Sequence, residues 1–517
     1  GAGRGVAPFG RARPPATIRY DEGLRMPNDT VASLIARAAT RVPDAPAIVA
    51  PDAATLAYRD LAGEVARLAG WLRALGVAPG DRAAWVAPNG PHAALAFLGT
   101  TAACASAPLN PTLKEREYRI GLEDLRPRVL LLAGEQPEAA AAARALGIDA
   151  FELRARPDGL PGFALPEGGV DAGEARPDDI ALVLHTSGTT ARPKEVPLRQ
   201  RNLCASARNV AATLRLSEAD RALNMMPLFH IHGLVAGLLA SISVGASVVG
   251  APGFDPRRVR EWIARLRPTW YSAVPTIHMA MRDVFEDAPP QGGFPFRFVR
   301  SSSSALPPPV TAALEALYGV PVIEAYGMTE AAHQIASNPL PPAMRKPGSV
   351  GLPAGPEIAV RDGEGRDAAE GVEGEVWIRG DTVSPGYHDN DAANAESYAN
   401  GWFRTGDLGR FDADGYLFLT GRLKELVNRG GEKIAPAEID NALLEHPGVA
   451  QAVCCAMPHP TLGEEVAAVV VLRPDAGDVT PRDLLAHCAS RLAPCKRPRQ
   501  ILIVPELPKG ATGNIAT

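Results

Sequence analysis

Apolar residues recur at helical spacing near the start of the chain, at Val31, Leu34, Ile35 and Ala38, and Asp29 just before them predicts an N-cap. A second stripe runs through Leu61, Val65, Leu68, Leu72 and Leu75. Between and after these stripes lie short apolar runs, Ala47 to Ala50, Arg82 to Ala87 and Val129 to Ala133, that read as buried strands. Helical stripes alternating with short strands predict an α/β fold built on mainly parallel sheets. The alternation repeats from Asn202 to Val322. From Gly351 the texture changes to short strands divided by Asp/Gly turns (Glu357 to Arg361, Gly374 to Arg379, Gly415 to Thr420), a small β unit. From Lys424 onwards helices (Pro436 to Glu445, Pro481 to Leu492) mix with strands (Val449 to Ala456, Glu465 to Leu472), which predicts a separate α+β lobe. The uncharged run from Ile231 to Phe254 is split by Val244, Gly245 and Ala246 into a helix and a strand, so it does not read as a membrane span.

A length of 517 residues exceeds what one core organises and predicts two or three domains. The expected division is a poorly ordered leader over 1–28, a large N-terminal domain over 29–423 and a C-terminal lobe over 424–517. The leader is Arg-rich, with no acid before Asp21 and no apolar signal core. A net charge of −5 gives no electrostatic basis for binding nucleic acid. The six cysteines form no Cys-x-x-Cys pair, which suits a reducing, cytoplasmic setting and argues against a disulfide framework or a zinc site.

The densest chemistry lies between His185 and Lys194, where four hydroxyl side chains, a glycine and two cations follow the strand Ile180 to Leu184. Glycine lets the backbone approach a phosphate, N–H and hydroxyl groups donate to it, and Lys or Arg neutralises it. The spacing is not that of a Walker loop. Four more clusters accompany it. Glu324 to Glu330 sets Tyr326, Gly327, Thr329 and Glu330 at a strand end, a set suited to ring packing, close approach, phosphate contact and Mg2+. Trp402 to Asp407 places a carboxylate at a turn, where it can accept the hydroxyls of a ribose or serve only as an Asp turn. Gly421 to Ile434 is charged and glycine-rich at the change of texture, a solvated linker or a hinge. Pro227 to Gly233 carries His230 and His232 on one strand-like face, without a nearby third ligand for zinc.

These five clusters occur in the order of the adenylate-forming superfamily, which the chain resembles from about Asp29 to its end. That superfamily comprises acyl- and aryl-CoA synthetases, peptide-synthetase adenylation domains and luciferases. The resemblance implies an ATP- and Mg2+-dependent ligase that makes an acyl-adenylate and passes the acyl group to coenzyme A, with a mobile C-terminal lobe. It implies that Thr186, Ser187, Gly188, Thr189, Thr190 and Lys194 grip phosphate and that Tyr326 packs on adenine. By the same resemblance Thr329 binds phosphate, Glu330 holds Mg2+, and Asp407 and Arg422 bind ribose. Lys424 matches the hinge, Gly430 and Gly431 match a loop beside the pantetheine tunnel, and His230 matches the mouth of the acid pocket. Ser303 lies in a segment that matches either the base site or the acid site. Several segments, including Pro227 to Leu239, Trp270 to His278, Arg300 to Leu306 and Ala331 to Leu340, resemble one subgroup, the oxalate–CoA ligases. A small diacid needs polar or cationic partners, and His232, His278, Ser302, Ser303 and His333 are the residues expected to supply them.

Two positions depart from the pattern. The family's closing lysine, which assists adenylation, is replaced by Asn514, which carries no charge; this predicts slowed adenylation. Glu195 follows Lys194 where the family has a small or apolar residue, and it is expected either to pair with Lys194 or Arg192 or to face solvent. The leading expectation is an acid–CoA ligase acting on oxalate or another small acid. Its rivals are a medium-chain or aryl acid–CoA ligase, an adenylate-binding protein with impaired turnover, and an enzyme that loads a carrier protein.

Overall fold

The structure, a computed structural model, describes residues 29–166, 173, 175–186, 193–430 and 432–508. The expected leader and Ser187, Gly188, Thr189, Thr190, Arg192, Gly431 and Asn514 lie outside the described residues. The chain folds as α/β, with parallel and mixed sheets followed by a smaller α+β unit. A six-stranded sheet is parallel except at one edge, where Ile180–His185 pairs antiparallel with Glu195–Arg199. The largest sheet among the described residues has nine strands. In it Trp270–Ala273, Phe298–Ser301 and Val322–Met328 run parallel, and Val322–Met328 then turns back antiparallel onto His333–Ser337.

Alternation along these central strands decides which side chains meet. Trp270 and Phe298 face one apolar core, whereas Tyr271 and Val299 face another. Two-residue periodicity therefore places Ser272 and Arg300 on the Trp270 side of the sheet, in the same layer and in direct register. The run Ile231 to Phe254 divides as expected, into the helical segments His232–Leu239 and Ala240–Ser243 and the strand Ser247–Gly250. Among the described residues no helix is long and apolar enough to cross a membrane.

The small β unit is a five-stranded antiparallel sheet that includes Glu357–Arg361, Gly374–Arg379, Trp402–Phe411 and Leu417–Arg422. Beyond it, Val427–Arg429, Glu432–Ile434, Val449–His459, Gly463–Leu472 and Gln500–Ile503 form another five-stranded sheet. Its core includes Ile439 and Leu443 from the helix Pro436–Leu444 and Leu484 and Cys488 from the helix Pro481–Ala489.

Three local expectations are corrected. Thr30, not Asp29, caps the first helix, Val31–Arg41, and its hydroxyl accepts from the Ser33 N–H at 3.2 Å. Asp29 is buried and its carboxylate is engaged by Arg37 and Arg208, because a buried charge needs cationic partners more than a helix end needs a cap. The helix starting at Pro481 ends at Ala489, short of Leu492. Asp407 lies inside the strand Trp402–Phe411 rather than in a turn after it.

Candidate active site

The strands Ile180–His185 and Glu195–Arg199 pair at His185 and Glu195, and between them the Thr186 N–H donates to the Lys194 carbonyl at 3.0 Å. The Lys194 ammonium sits 4.5 Å from the ring centre of Tyr387, a cation–π contact. The Tyr387 hydroxyl donates to Glu330 Oε1 at 2.8 Å, so one aromatic side chain bridges the loop lysine and the acid. Glu330 is buried in the short 3-10 turn Thr329–Ala331, and burial raises its pKa above the usual carboxylate value. Thr329 opens that turn, and its carbonyl accepts from the Ala332 N–H at 3.0 Å. A buried carboxylate of this kind, with oxygen ligands left to water and substrate phosphate, fits the sparse coordination that Mg2+ accepts from protein. Among the described residues no group of three His, Cys, Asp or Glu is placed to hold a metal ion.

Tyr326 lies on the same strand as Gly327, five positions before the helical turn's Ala331. Its hydroxyl donates to the Asp407 carboxylate, and Arg422 Nε donates to Asp407 Oδ1 at 2.6 Å. Asp407 and Arg422 are cross-strand neighbours, which accounts for the pair. The Asp407 carboxylate raises the Arg422 pKa further above its ordinary value. Gly327 cannot be replaced by a residue with a side chain, since a Cβ there would lie 1.7 Å from the His333 carbonyl oxygen. Lys424 is exposed and 3.6 Å from Glu396. Gly430 sits at a turn with φ of 60°, and its N–H donates to the Leu462 carbonyl at 2.9 Å.

The expected acid-side residues divide. His230 and His232 do not share a strand face: His230 ends a turn, and His232 opens the helix His232–Leu239. The local reason is the bond from the His230 N–H to the Pro227 carbonyl, which turns the chain into the helix. His232 Nδ1 lies 3.0 Å from Ser303 Oγ and its Nε2 lies 2.7 Å from Ser272 Oγ. The His232 and His333 rings stack at 5.0 Å. His278 does not join them. Its Nδ1 lies 3.1 Å from the Tyr271 hydroxyl, on the opposite face of the sheet, and its Nε2 donates to the Arg300 carbonyl at 3.1 Å. It is a satisfied core polar group, held there by the alternation that separates Tyr271 from Ser272. Ser302 Oγ, His230 Nε2 and His333 Nε2 are buried with no hydrogen-bond partner among the described residues.

The expected pairing of Glu195 with Arg192 lies outside the described residues; among them, Glu195 does not pair with Lys194, and it does not face solvent. It is buried, and its Oε2 accepts from Arg82 Nη1 at 2.9 Å, while Oε1 lies 3.7 Å from His185 Nε2. Burial pushes its pKa up, but His185 and the Arg82 guanidinium outweigh that and hold it below the usual value. The strand geometry explains this: Glu195 is the register partner of His185, so its side chain turns toward the sheet and away from Lys194.

Four residues were missed. Tyr387 follows Pro385 and Gly386 in what reads as an ordinary turn. Ser272 and Gln334 read as plain strand residues. Arg300 did leave a signal: it occupies the same face as Phe298 in an apolar strand, so its charge breaks the alternation. Arg300 is fully buried. Its Nη1 donates to Ser272 Oγ at 3.1 Å and its Nη2 to Gln334 Oε1 at 3.3 Å, while Nε has no partner among the described residues. Burial alone lowers its pKa to about 9.

The chain belongs to the AMP-binding enzyme family, which matches residues 35–388; the family's C-terminal domain matches residues 438–514. It is similar to the oxalate–CoA ligase of Arabidopsis thaliana, at 41% identity over 95% of this chain and 98% of that protein. It is also similar to the sulfoacetate–CoA ligase of Cupriavidus necator, at 39% identity over 94% of this chain and 96% of that one. Among solved structures it resembles the o-succinylbenzoate coenzyme A synthetase of Bacillus subtilis in complex with ATP and magnesium ion, with a TM-score of 0.79 and 30% identity. That likeness covers 93% of this chain and 98% of the other.

Proposed function

We propose that this protein is an AMP-forming acid–CoA ligase that activates a small carboxylic acid, oxalate first among them, as its acyl-adenylate. The observation that carries the reading is the double bridge at the nucleotide side, Lys194–Tyr387–Glu330 and Tyr326–Asp407–Arg422. It gathers two cations, two buried carboxylates and two aromatic rings, groups that suit an ATP-dependent adenylation.

In this reading the loop from Thr186 to Lys194 and Thr329 hold the ATP phosphates, Tyr326 packs against adenine, and Asp407 with Arg422 holds the ribose. Mg2+ on Glu330 supplies charge neutralisation at the phosphates, where two anions must approach each other. Lys194 lies across Tyr387 from Glu330, so the two charges flank the phosphate path. The acid enters past His230 to the surface formed by His232, Ser302, Ser303 and His333. Burial, with Arg300 adding to it at His232 and His333, holds these imidazoles neutral, so they act as hydrogen-bonding groups rather than as cations. A polar wall of this kind suits a small acid and not an alkyl chain.

The division into residues 29–423 and 424–517, with Lys424 as the hinge and Gly430 and Gly431 beside the thiol channel, belongs to the same proposal, as does a cytoplasmic setting. Oxalate is placed first because of the polar side chains of His232, Ser302, Ser303 and His333 and the 41% identity to an oxalate–CoA ligase. The test is pyrophosphate release, and CoA-dependent AMP formation, across oxalate, malonate, octanoate and benzoate. Preference for octanoate or benzoate replaces the small-acid reading, and AMP formation that ignores CoA replaces the ligase reading.

A further inference from the structure

Arg300 is the largest unexplained charge in the interior. Its side chain is fully buried, and among the described residues no carboxylate pairs with it. Neutral groups, Ser272 Oγ and Gln334 Oε1, hold two of its nitrogens, and Nε has no partner among the described residues. Leaving a guanidinium in the interior without a counter-charge is costly, and such groups are retained where something charged meets them.

The surroundings point the same way. Ser272 is shared between Arg300 and His232, so the guanidinium is tied to the imidazole that also contacts Ser303. Gln334 pairs in register with Gly327 and His333 with Met328, which sets Arg300 one strand away from the turn bearing Thr329 and Glu330. His333 Nε2 and Ser302 Oγ are also buried and have no hydrogen-bond partner among the described residues. Three non-glycine residues here, Ser303 (φ 75°), Ala332 (φ 49°) and His333 (φ 102°), adopt left-handed backbone conformations. Such conformations are unfavourable for L-residues and concentrate where geometry serves binding.

We propose that Arg300 is the specificity-determining residue of the acid pocket: its unpartnered edge pairs with a second anionic group on the substrate, a carboxylate or a sulfonate, opposite the carboxylate that is adenylated. The planar fork suits either oxyanion, and Ser272 and Gln334 fix its orientation. His333 Nε2 and Ser302 Oγ complete the oxyanion's hydrogen bonds. The inference rests on the acid–CoA ligase reading and adds to it the substrate class, acids that remain anionic after adenylation.

The test compares isosteric acids that differ in charge. Oxalate is set against oxamate, and sulfoacetate against methylsulfonylacetate, in the wild-type chain, R300M and R300K. CoA-dependent AMP formation and acid-induced thermal shift in the presence of ATP and Mg2+ are both read. The expected result is a wild-type preference for the doubly anionic acid of about 100-fold in kcat/KM, carried by KM, which collapses to within about 3-fold in R300M and is partly kept in R300K. Whichever anionic acid shows the larger preference identifies the second group as carboxylate or sulfonate. A wild-type chain that treats oxalate and oxamate alike, and sulfoacetate and its neutral analogue alike, overturns the proposal, as does an R300M chain that keeps the preference. If R300M does not fold, R300K decides: it retains charge but loses the fork, and an unchanged KM for the anionic acids overturns the proposal. Absence of AMP formation and of thermal shift with every acid in the wild-type chain instead refutes the ligase reading.

Discussion

Tyr387→Phe removes a single hydroxyl from the bridge between Lys194 and Glu330 while keeping the ring. The hydroxyl donates to Glu330 Oε1 at 2.8 Å, and the ring keeps its 4.5 Å contact with the Lys194 ammonium. Burial already raises the Glu330 pKa, and the Tyr387 hydroxyl works against that rise. A hydrogen bond to an ionised group contributes about 1.5–3 kcal/mol, and losing it shifts Glu330 further toward its protonated form. Without it, Glu330 protonates at a higher pH and presents a neutral group where a metal needs an anion. Pyrophosphate release, measured from pH 5.5 to 9 at saturating acid, ATP and Mg2+, is therefore expected to show an acid limb displaced to higher pH in Y387F, with activity recovering on the alkaline side. E330Q is expected to show no recovery at any pH. A Y387F profile that overlays the wild-type acid limb would falsify the assignment of Glu330 as the ionised group tuned by Tyr387.

Asp407→Asn leaves Tyr326 and Arg422 without their shared carboxylate and is expected to raise KM for ATP by about 10–100-fold with a smaller effect on kcat; an unchanged KM removes Asp407 from the ribose site. Glu195→Gln strips the partner from a largely buried Arg82 and is expected to destabilise the protein by about 2–4 kcal/mol in chemical unfolding, with most of the loss recovered in R82M/E195Q. Glu324 is buried, and burial raises its pKa to about 7. The sign follows from linkage: its contribution is fully present below the unfolded carboxylate value and is lost as pH rises through about 7. E324Q is therefore expected to gain about 2 kcal/mol relative to wild type between pH 5.5 and pH 8.5, and a pH-independent difference contradicts the buried-acid assignment. Asn514→Lys is expected to raise the adenylation rate by about 10-fold or more if the missing charge limits that step; no gain eliminates Asn514 as the cause of slow adenylation.

The periodic parts of the chain were legible because burial enforces them. The helical stripe from Val31 to Ala38 and the broken run from Ile231 to Phe254 appear in the structure as the sequence pattern implies. Tyr326, Glu330, Asp407 and Arg422 stand out in the sequence because their clusters occur in the order of the adenylate-forming superfamily that the chain resembles; taken alone, each cluster also reads as an ordinary turn or linker. What the pattern hid is what strand register decides. His278 looked equivalent to His232, but one lies on the Tyr271 face of a sheet and the other on the Ser272 face. Glu195 looked like a neighbour of Lys194, yet its pairing with His185 turns it inward to Arg82, a residue 113 positions away in sequence. Tyr387 was invisible because its importance lies in reaching Glu330, 57 positions away, from an unremarkable turn. Arg300 was readable as a charge in an apolar strand, but not as a charge without a partner, since that depends on every element packed around it.

The most direct measurement of the central claim is AMP formation by the unaltered chain with ATP, Mg2+ and coenzyme A, comparing oxalate with its isostere oxamate. The account predicts CoA-dependent AMP and thioester formation with oxalate at kcat/KM about 100-fold above oxamate. Equal turnover of the two acids, or AMP formation that does not depend on coenzyme A, would contradict it.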